Sequence, residues 1–123
     1  MAQNVLIVDD TEINLILFSA LVKKIDDCVA HTFMSALQGL LWAVDNEPDL
    51  VIVDYMMPEI DGLEFSRRLR EIPACEAVPV LMITANDQKQ LRYRALDMGA
   101  NDFLIKPVDK VEFLARTKNM LNL

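Results

Sequence analysis

The sequence has little of what many catalytic and binding motifs require. Among 123 residues there are three glycines, two cysteines and one histidine, His31. A single histidine in an apolar run does not assemble a Ser–His–Asp triad, and three glycines do not favour a glycine-rich phosphate-binding loop. Cys28 and Cys75 lie far apart and share no C-x-x-C spacing, so neither a disulfide framework nor a zinc site is predicted.

Positive charge and long apolar runs are also scarce. The chain has 12 Lys and Arg against 19 Asp and Glu, a formal net charge of −7. Without a basic stripe and interleaved aromatics, we expect no direct contact with nucleic acid. No run approaches the roughly 20 apolar residues of a membrane helix, and the N-terminus lacks a signal-peptide pattern. We therefore expect a soluble, cytoplasmic protein that does not contact the membrane.

The hydrophobic content is sufficient for one core. At 53% hydrophobic residues over this length, the chain predicts a single domain over residues 1–123. A domain cut from a longer multidomain protein would have the same composition.

Five apolar runs predict the strands of a parallel sheet. Four of them are continuous and rich in branched residues, which is typical of strands covered on both faces. The run at 28–33 is weaker. The predicted strands are residues 5–8, 28–33, 50–53, 80–84 and 103–105.

Helical patterns separate these strands. Thr11 is expected to cap the first helix, with Ile13, Leu17, Ala20 and Leu21 on its core face. Five repeats of strand then helix require right-handed crossovers and an open sheet with helices on both faces. The fold class is therefore α/β, a three-layer sandwich. The predicted helices are residues 11–25, 35–45, 62–70, 88–98, which Gly99 should end, and 110–121.

Charged or polar side chains follow four of the five predicted strands. They are Asp9 and Asp10, Asp54, Thr84 and Lys106. Ligands of open α/β sheets bind beyond the carboxyl ends of the strands. If the first and third strands are neighbours, three carboxylates share one crevice, and each bare pair about 4 Å apart costs about 4 kcal/mol at an effective dielectric near 20. A lone Asp at such a position usually caps a helix, but the combination favours an oxygen-liganded Mg²⁺.

Four segments carry a resemblance to a known family. "LIVDD" at 6–10, "DLVIVDYMMPEIDGLEF" at 49–65, "VPVLMITA" at 78–85 and "GANDFLIKP" at 99–107 match, in order and spacing, the receiver domain of two-component response regulators. The chain resembles this family over essentially its whole length. The resemblance implies a flavodoxin-like, five-stranded parallel sheet in the order 2-1-3-4-5 with five helices.

The resemblance also implies a phosphoacceptor and a metal site. Asp54 would be the nucleophile that accepts a phosphoryl group from the phosphohistidine of a sensor histidine kinase or phosphotransfer protein. Mg²⁺, for which Mn²⁺ is an allowed substitute, would neutralise the crowded charges. Its implied protein ligands are Asp9, Asp10, Asp54 and the backbone carbonyl of Met56.

Further residues are assigned switching roles by the same resemblance. Lys106 would reach the phosphoryl oxygens, and Pro107 would follow it through a cis bond. Thr84 would donate a hydrogen bond to the phosphoryl group, and Phe103, where tyrosine is frequent, would turn inward as the aromatic switch.

Two positions would tune hydrolysis of the aspartyl phosphate. Met56 lies two residues after Asp54, and Asn86 lies two residues after Thr84. Methionine cannot orient a water whereas asparagine can, so an intermediate lifetime is expected.

The implied output surface is the fourth helix, fifth strand and fifth helix. It would control an output domain or partner, and it is also a candidate homodimer surface. The ending "VDKVEFLARTKNMLNL" is similar to receivers fused to cyclic-di-GMP-related domains. Beyond self-phosphorylation and autodephosphorylation, no enzymatic activity is expected.

Three alternatives remain open at this point. A receiver that works only as a docking platform would not need phosphorylation. A Mg²⁺-dependent phosphatase related to haloacid dehalogenases would place D-x-D after the first strand, whereas here the two aspartates are adjacent. A nucleotide- or flavin-binding module would need a phosphate-cradling loop at the same place.

Overall fold

The computed structural model describes residues 2–85 and 88–122. Its centre is a five-stranded sheet in which every strand pair is parallel. The strand order is β2-β1-β3-β4-β5, which confirms the predicted fold class and order. The strands are β1 (Gln3–Val8), β2 (Cys28–Phe33), β3 (Leu50–Asp54), β4 (Val80–Thr84) and β5 (Asp102–Ile105).

A helix follows each strand, as the alternating pattern predicted. Three of the helices begin with a side-chain cap, in which Ser35, Asp61 or Asp109 accepts the backbone N–H three residues later. These caps satisfy orphan N–H groups of the first turn. A short 3₁₀ turn, Pro73–Cys75, precedes β4. The helices are α1 (Glu12–Val22), α2 (Ala36–Asn46), α3 (Gly62–Arg70), α4 (Lys89–Asp97) and α5 (Lys110–Met120).

The sheet separates two hydrophobic cores. Alternate residues of β1, β3 and β4 enter each core, and β3 and β4 are buried along their whole length. One core packs the sheet against α2, α3 and α4. The other packs it against α1 and α5, where the rings of Phe18 and Phe113 stack at 5.4 Å. The continuous apolar runs therefore do mark strands covered on both faces.

The predicted core face of α1 is wrong. Ile13 is 75% exposed and Leu17 36% exposed, and Ala20 also faces outward, so of the four predicted residues only Leu21 is buried. Because α1 has apolar residues on nearly every side, periodicity alone did not identify the inner face. The inner face is set by packing against β2 and α5 through Leu15, Phe18, Leu21 and Val22.

Arg70 joins three segments at the opposite end of the sheet from the strands' carboxyl ends. Its guanidinium donates to the carbonyl oxygens of Cys75 and Val78, ahead of β4, and to that of Gly99, between α4 and β5. Gly99 has a φ of +106°, the left-handed conformation expected of a residue that ends a helix. Within the described residues, no helix is long and apolar enough to span a membrane.

Candidate functional site

The polar residues that follow the strands lie together at one edge of the sheet. Asp54 and Thr84 are the last residues of β3 and β4, and Asp9, Asp10 and Lys106 come directly after β1 and β5. Carboxylate oxygens of the three aspartates lie within 4.8 Å of one another. Lys106 Nζ is 2.8 Å from Asp54 Oδ1. The predicted cluster of acids facing a single ammonium group is thus present.

The backbone fixes these positions through the strand register. Val8 is paired with Val53, so Asp9, directly after β1, and Asp54, the last residue of β3, each follow one member of a matched pair on adjacent strands. The N–H of Lys106 donates to the carbonyl oxygen of Thr84 at 2.8 Å. These main-chain contacts fix the backbone positions of the site residues relative to one another. The strand register therefore constrains the distances between their side chains.

Burial opposes the ionisation of two of the carboxyl groups. Asp9 is 1% exposed and Asp54 5% exposed. Loss of hydration is the largest influence and raises the pKa of Asp54. The hydrogen bond and positive charge of Lys106 lower this pKa, and the negative charges of Asp9 and Asp10 raise it, so the net shift is upward. The pKa of Asp9 is also raised, chiefly by burial. The site therefore has more negative charge than its own ammonium group balances.

Asp9 is held by hydrogen bonds to both of its oxygens. The backbone N–H of Thr11 donates to Oδ1 at 2.9 Å, and Asn14 Nδ2 donates to Oδ2 at 3.2 Å. Thr11 provides its backbone rather than the side-chain cap that was predicted. Sequence reasoning missed Asn14, although a carboxamide in the first turn of the helix after two aspartates was a visible signal.

The donor set fits a hard divalent cation. Among residues 2–85 and 88–122, three carboxylates converge with the ammonium group of Lys106 as their cationic neighbour, and such oxygen ligands are those that Mg²⁺ prefers. Asp10 is exposed to solvent, which leaves its oxygens accessible. Met56 lies two residues after Asp54 and is 69% exposed. Its backbone carbonyl as a ligand remains a prediction.

The loop after β3 requires a glycine at its end. The N–H of Gly62 donates to the carbonyl oxygen of Tyr55 at 2.7 Å. A Cβ on Gly62 would lie 2.8 Å from the carbonyl oxygen of Asp54 and 3.0 Å from Tyr55 Cα. The carbonyl belongs to the last residue of β3, and Tyr55 begins the loop that contains Met56, so a larger residue would displace the backbone around Asp54. Sequence reasoning used Gly62 only as a helix start.

Of the predicted switch residues, Thr84 ends β4 at the site and Phe103 lies on the adjacent strand β5. Thr84 is 4% exposed, and the Lys106–Pro107 bond is cis, as predicted. Phe103 is half-buried, with the Arg92 guanidinium carbon 5.8 Å from its ring centroid. The prediction for Asn86 falls outside the described residues.

An exposed apolar ridge on α1 borders the site. Ile13 and Ile16 are 75% and 62% exposed, and Leu17 lies beside them. A groove of about 260 Å³ separates this helix from the segment after β5. Its lining residues are Asn14, Leu17, Phe18, Lys106, Pro107 and Val108.

Comparison with known proteins identifies the same family that the sequence motifs indicated. The family model described as "Response regulator receiver domain" matches residues 5–118. The cyclic di-GMP phosphodiesterase response regulator RpfG of Xanthomonas campestris is 36% identical over 121 residues, and the match covers 98% of this chain and 32% of RpfG. Response regulator PleD of Caulobacter vibrioides is 36% identical over 120 residues, covering 98% of this chain and 26% of PleD. The chain thus spans about a third or less of the length of these relatives.

A solved receiver domain has the same fold. The receiver domain of the sensor histidine kinase PA1611 from Pseudomonas aeruginosa superposes with a TM-score of 0.89 at 24% identity, and the match covers 100% of both chains. That structure has a magnesium ion coordinated in its active site cleft.

Proposed function

The chain belongs to the response regulator receiver domain family, and from that premise we propose that it acts in a phosphorelay by accepting a phosphoryl group on Asp54. The observation that carries the proposal is the position of the Asp54 carboxylate. It is nearly buried, 2.8 Å from Lys106 Nζ, and grouped with the carboxylates of Asp9 and Asp10. A generic acidic patch would be solvated and would not enclose an ammonium group.

The proposed reaction transfers the phosphoryl group from a phosphohistidine. A carboxylate oxygen of Asp54 attacks phosphorus, a P–O bond forms, and the P–N bond to the imidazole breaks, leaving its electron pair on nitrogen. Phosphoryl transfer requires mainly positioning and charge stabilisation from the protein. Lys106 holds Asp54 before the reaction and is placed to bind the transferred oxygens afterwards. Because burial raises the pKa of Asp54, a second cation favours the ionised, nucleophilic form.

Mg²⁺, or Mn²⁺ in its place, is the cofactor we propose for this site. Asp9, Asp10, Asp54 and the backbone carbonyl of Met56 would hold the ion. When bound, it supplies positive charge to the phosphoryl oxygens. Asp9 is already fixed by two hydrogen bonds, so it needs little reorganisation to serve as a ligand.

The response to phosphorylation is proposed to involve Thr84 and Phe103. A phosphorylated Asp54 has new acceptor oxygens, to which the Thr84 hydroxyl can donate. Thr84 and Phe103 lie on adjacent strands, so movement of the hydroxyl changes the space available to the ring. Met56 and Asn86 are proposed to set the rate at which the aspartyl phosphate hydrolyses.

The phosphodonor is proposed to dock on the exposed ridge of α1. Ile13, Ile16 and Leu17 form an apolar surface next to the groove that ends at Lys106 and Pro107. A sensor histidine kinase or phosphotransfer protein that covers this ridge would bring its histidine towards Asp54. Exposed apolar surface beside a reactive group is a common mark of a protein contact.

The output is proposed to lie outside this chain. RpfG is named as a cyclic di-GMP phosphodiesterase response regulator, which supports an output domain in cis related to cyclic di-GMP. The surface of α4, β5 and α5 is proposed to control the output domain or partner. The same surface is the proposed contact of a homodimer. The chain itself would perform only its own phosphorylation and dephosphorylation.

Phosphorylation by a small donor tests the proposal. With acetyl phosphate and Mg²⁺, intact mass spectrometry should show a gain of one phosphoryl group. Asp54→Asn should show none, whereas Asp45→Asn, which changes an exposed aspartate on α2, should behave as the wild type. Removal of Mg²⁺ with EDTA should prevent the gain.

This assay and a phosphatase assay together separate two of the alternatives. A docking receiver that works without phosphorylation would remain unmodified in every sample. A phosphatase would release many phosphates per chain from a phosphomonoester such as p-nitrophenyl phosphate. Either outcome would overturn the proposed function.

A further inference from the structure

The loop between β3 and α3 is attached to a helix that follows a different strand. This loop, residues 55–61, comes directly after β3 and contains Met56. Ser35 Oγ donates to Glu59 Oε1 at 2.8 Å, and the backbone N–H of Leu37 donates to the same oxygen at 3.4 Å. A carboxylate in the middle of the loop thus accepts two hydrogen bonds from the start of α2.

The start of α2 is a favourable place for this carboxylate. The Ser35 hydroxyl caps α2 by accepting the backbone N–H of Gln38, so one hydroxyl both caps the helix and binds Glu59. Helix α2 has no acidic residue in its own first turn, and the positive end of a helix dipole stabilises a negative charge placed there. Glu59 supplies this charge from another segment of the chain.

Helix α2 is itself fixed close to the acidic cluster. Ala36 is 1% exposed and belongs to the core between the sheet and the helices of that face. A Cβ on Gly39 would lie 2.9 Å from Val8 Cγ2, so the first turns of α2 pack closely on the end of β1. Val8 immediately precedes Asp9. The contact of Glu59 therefore ties the loop to the strand end that is followed by Asp9.

The chain between Glu59 and Met56 has little conformational freedom. The two residues between them are Met57 and Pro58. The ring of Pro58 fixes its φ, and the residue before a proline is restricted as well. Met57 also packs against the core. A displacement of Glu59 would therefore be passed on to the backbone of Met56 rather than absorbed between the two residues.

We propose, on the premise of the proposed function, that Glu59 is a positioning residue of the metal site. It holds the loop 55–61 against α2 and so places the backbone carbonyl of Met56 for the cation. Glu59 is not proposed as a ligand, because its Oε1 is engaged with α2. Among the described residues, the carboxylates that converge are those of the three site aspartates, without Glu59.

Two simpler roles for Glu59 predict different behaviour. If Glu59 only stabilised α2, its loss would lower the free energy of unfolding and leave the affinity for Mg²⁺ unchanged. If it only attracted the cation by its negative charge, Glu59→Gln would weaken binding as much as Glu59→Ala does. In that case Ser35→Ala, which removes no charge, would have no effect on Mg²⁺.

The first measurement is made on the whole chain without metal. The N–H of Gly62 closes the loop by donating to the carbonyl oxygen of Tyr55, and its hydrogen exchange can be followed by NMR in EDTA. Glu59→Ala and Ser35→Ala should each speed this exchange about fivefold, because the loop opens more often. Exchange at the buried Val53 should not change, which separates loop opening from global unfolding.

The second measurement is the affinity for Mg²⁺ by isothermal titration calorimetry. Glu59→Ala should weaken binding about fivefold, less than the 10–100-fold typical of a group that contacts a ligand directly. Glu59→Gln keeps an acceptor oxygen and Ser35→Thr keeps the hydroxyl, so both should stay within about twofold of the wild type. Glu59→Ala combined with Ser35→Ala should lose no more than Glu59→Ala alone, since both residues act through one contact.

A matched control removes one negative charge elsewhere. Glu76 is exposed and follows the 3₁₀ turn at the opposite end of the sheet from the site. Glu76→Ala should exchange at Gly62 and bind Mg²⁺ as the wild type does. Urea unfolding of every variant shows whether a change in affinity accompanies a change in stability.

Several outcomes would overturn the inference. Unchanged exchange at Gly62 in Glu59→Ala would show that Glu59 does not hold the loop. Faster exchange with unchanged Mg²⁺ affinity would show that the position of the loop does not matter to the cation. An equal loss of affinity in Glu59→Gln, or in Glu76→Ala, would assign the effect to charge alone.

The wild-type chain separates this failure from that of the proposed function. If the wild type binds no Mg²⁺ and gains no phosphoryl group from acetyl phosphate, the proposed function is wrong, and the positioning role falls with it. If the wild type binds Mg²⁺ and is phosphorylated, while Glu59→Ala matches its affinity, only the positioning role is wrong.

Discussion

At the scale of single residues, the site depends on placing carboxylates where water is largely excluded. Asp9 and Asp54 are almost fully buried, and burial is the largest influence raising the pKa of each. Lys106 relieves part of this cost at Asp54. Ionisation of these buried carboxyl groups therefore destabilises the folded chain, and a bound cation can offset that cost.

The first prediction concerns stability in metal-free buffer. Since the folded-state pKa of Asp54 is raised above the ordinary value of 3.8, its contribution to the free energy of unfolding is greatest below pH 3.8 and is lost as the pH rises through the raised value. Asp54→Asn does not titrate, so it should be more stable than the wild type at pH 7, and the difference should shrink on acidification. Urea unfolding measured across this pH range provides the check. A difference that grows as the pH falls would contradict the pKa direction.

The second prediction concerns Asn14. Its amide donates to Asp9 Oδ2, Asp9 is a proposed metal ligand, and loss of a group that orients a metal ligand typically weakens metal binding 10–100-fold. Asn14→Ala should therefore weaken Mg²⁺ binding about tenfold by isothermal titration calorimetry. Asn4→Ala, at the other end of β1, is the matched control and should bind Mg²⁺ as the wild type does. Unchanged affinity in Asn14→Ala would show that Thr11 alone fixes Asp9.

At the scale of secondary-structure elements, the sequence predicted the bounds of the helices and strands better than it predicted which side of a helix faces the core. Each strand and helix lies within three residues of its predicted bounds, because continuous apolar runs and a helix-ending glycine such as Gly99 are local signals. Asp54 and Lys106 could be placed together because parallel strands end at one edge. The contacts of Asn14 and Gly62 could not, since they depend on how a helix and a loop pack on neighbouring strands.

The third prediction follows from the orientation of α1. Leu15 is 6% exposed and Ile16 62% exposed, although both are apolar and adjacent. Leu15→Ala should lower the free energy of unfolding by about 2–4 kcal/mol, whereas Ile16→Ser should change it by less than about 0.5 kcal/mol. Chemical denaturation of the two variants measures this. Similar losses would mean that α1 is rotated relative to the structure described above, and would remove the apolar ridge proposed for the phosphodonor.

At the scale of the whole molecule, the site is attached to the most protected part of the fold. Its acidic residues lie at the carboxyl ends of β1 and β3, two of the three strands whose residues enter both hydrophobic cores. Local opening of a loop would not separate these groups completely, because the strands that position them are buried at the centre of the sheet. Metal binding should therefore be coupled to global unfolding.

This coupling gives the fourth prediction. Above the dissociation constant, each tenfold increase in free Mg²⁺ should raise the free energy of unfolding by about 1.4 kcal/mol, because the ion binds only the folded chain. Asp10→Asn should remove most of this dependence, since Asp10 is the exposed carboxylate of the cluster proposed to hold the ion. Salt alone also stabilises a chain of net charge −7 by screening its repulsion, so NaCl at matched ionic strength is the necessary control. If NaCl reproduced the full slope, or Asp10→Asn retained it, the stabilisation would come from screening, and the three carboxylates would not form a metal site.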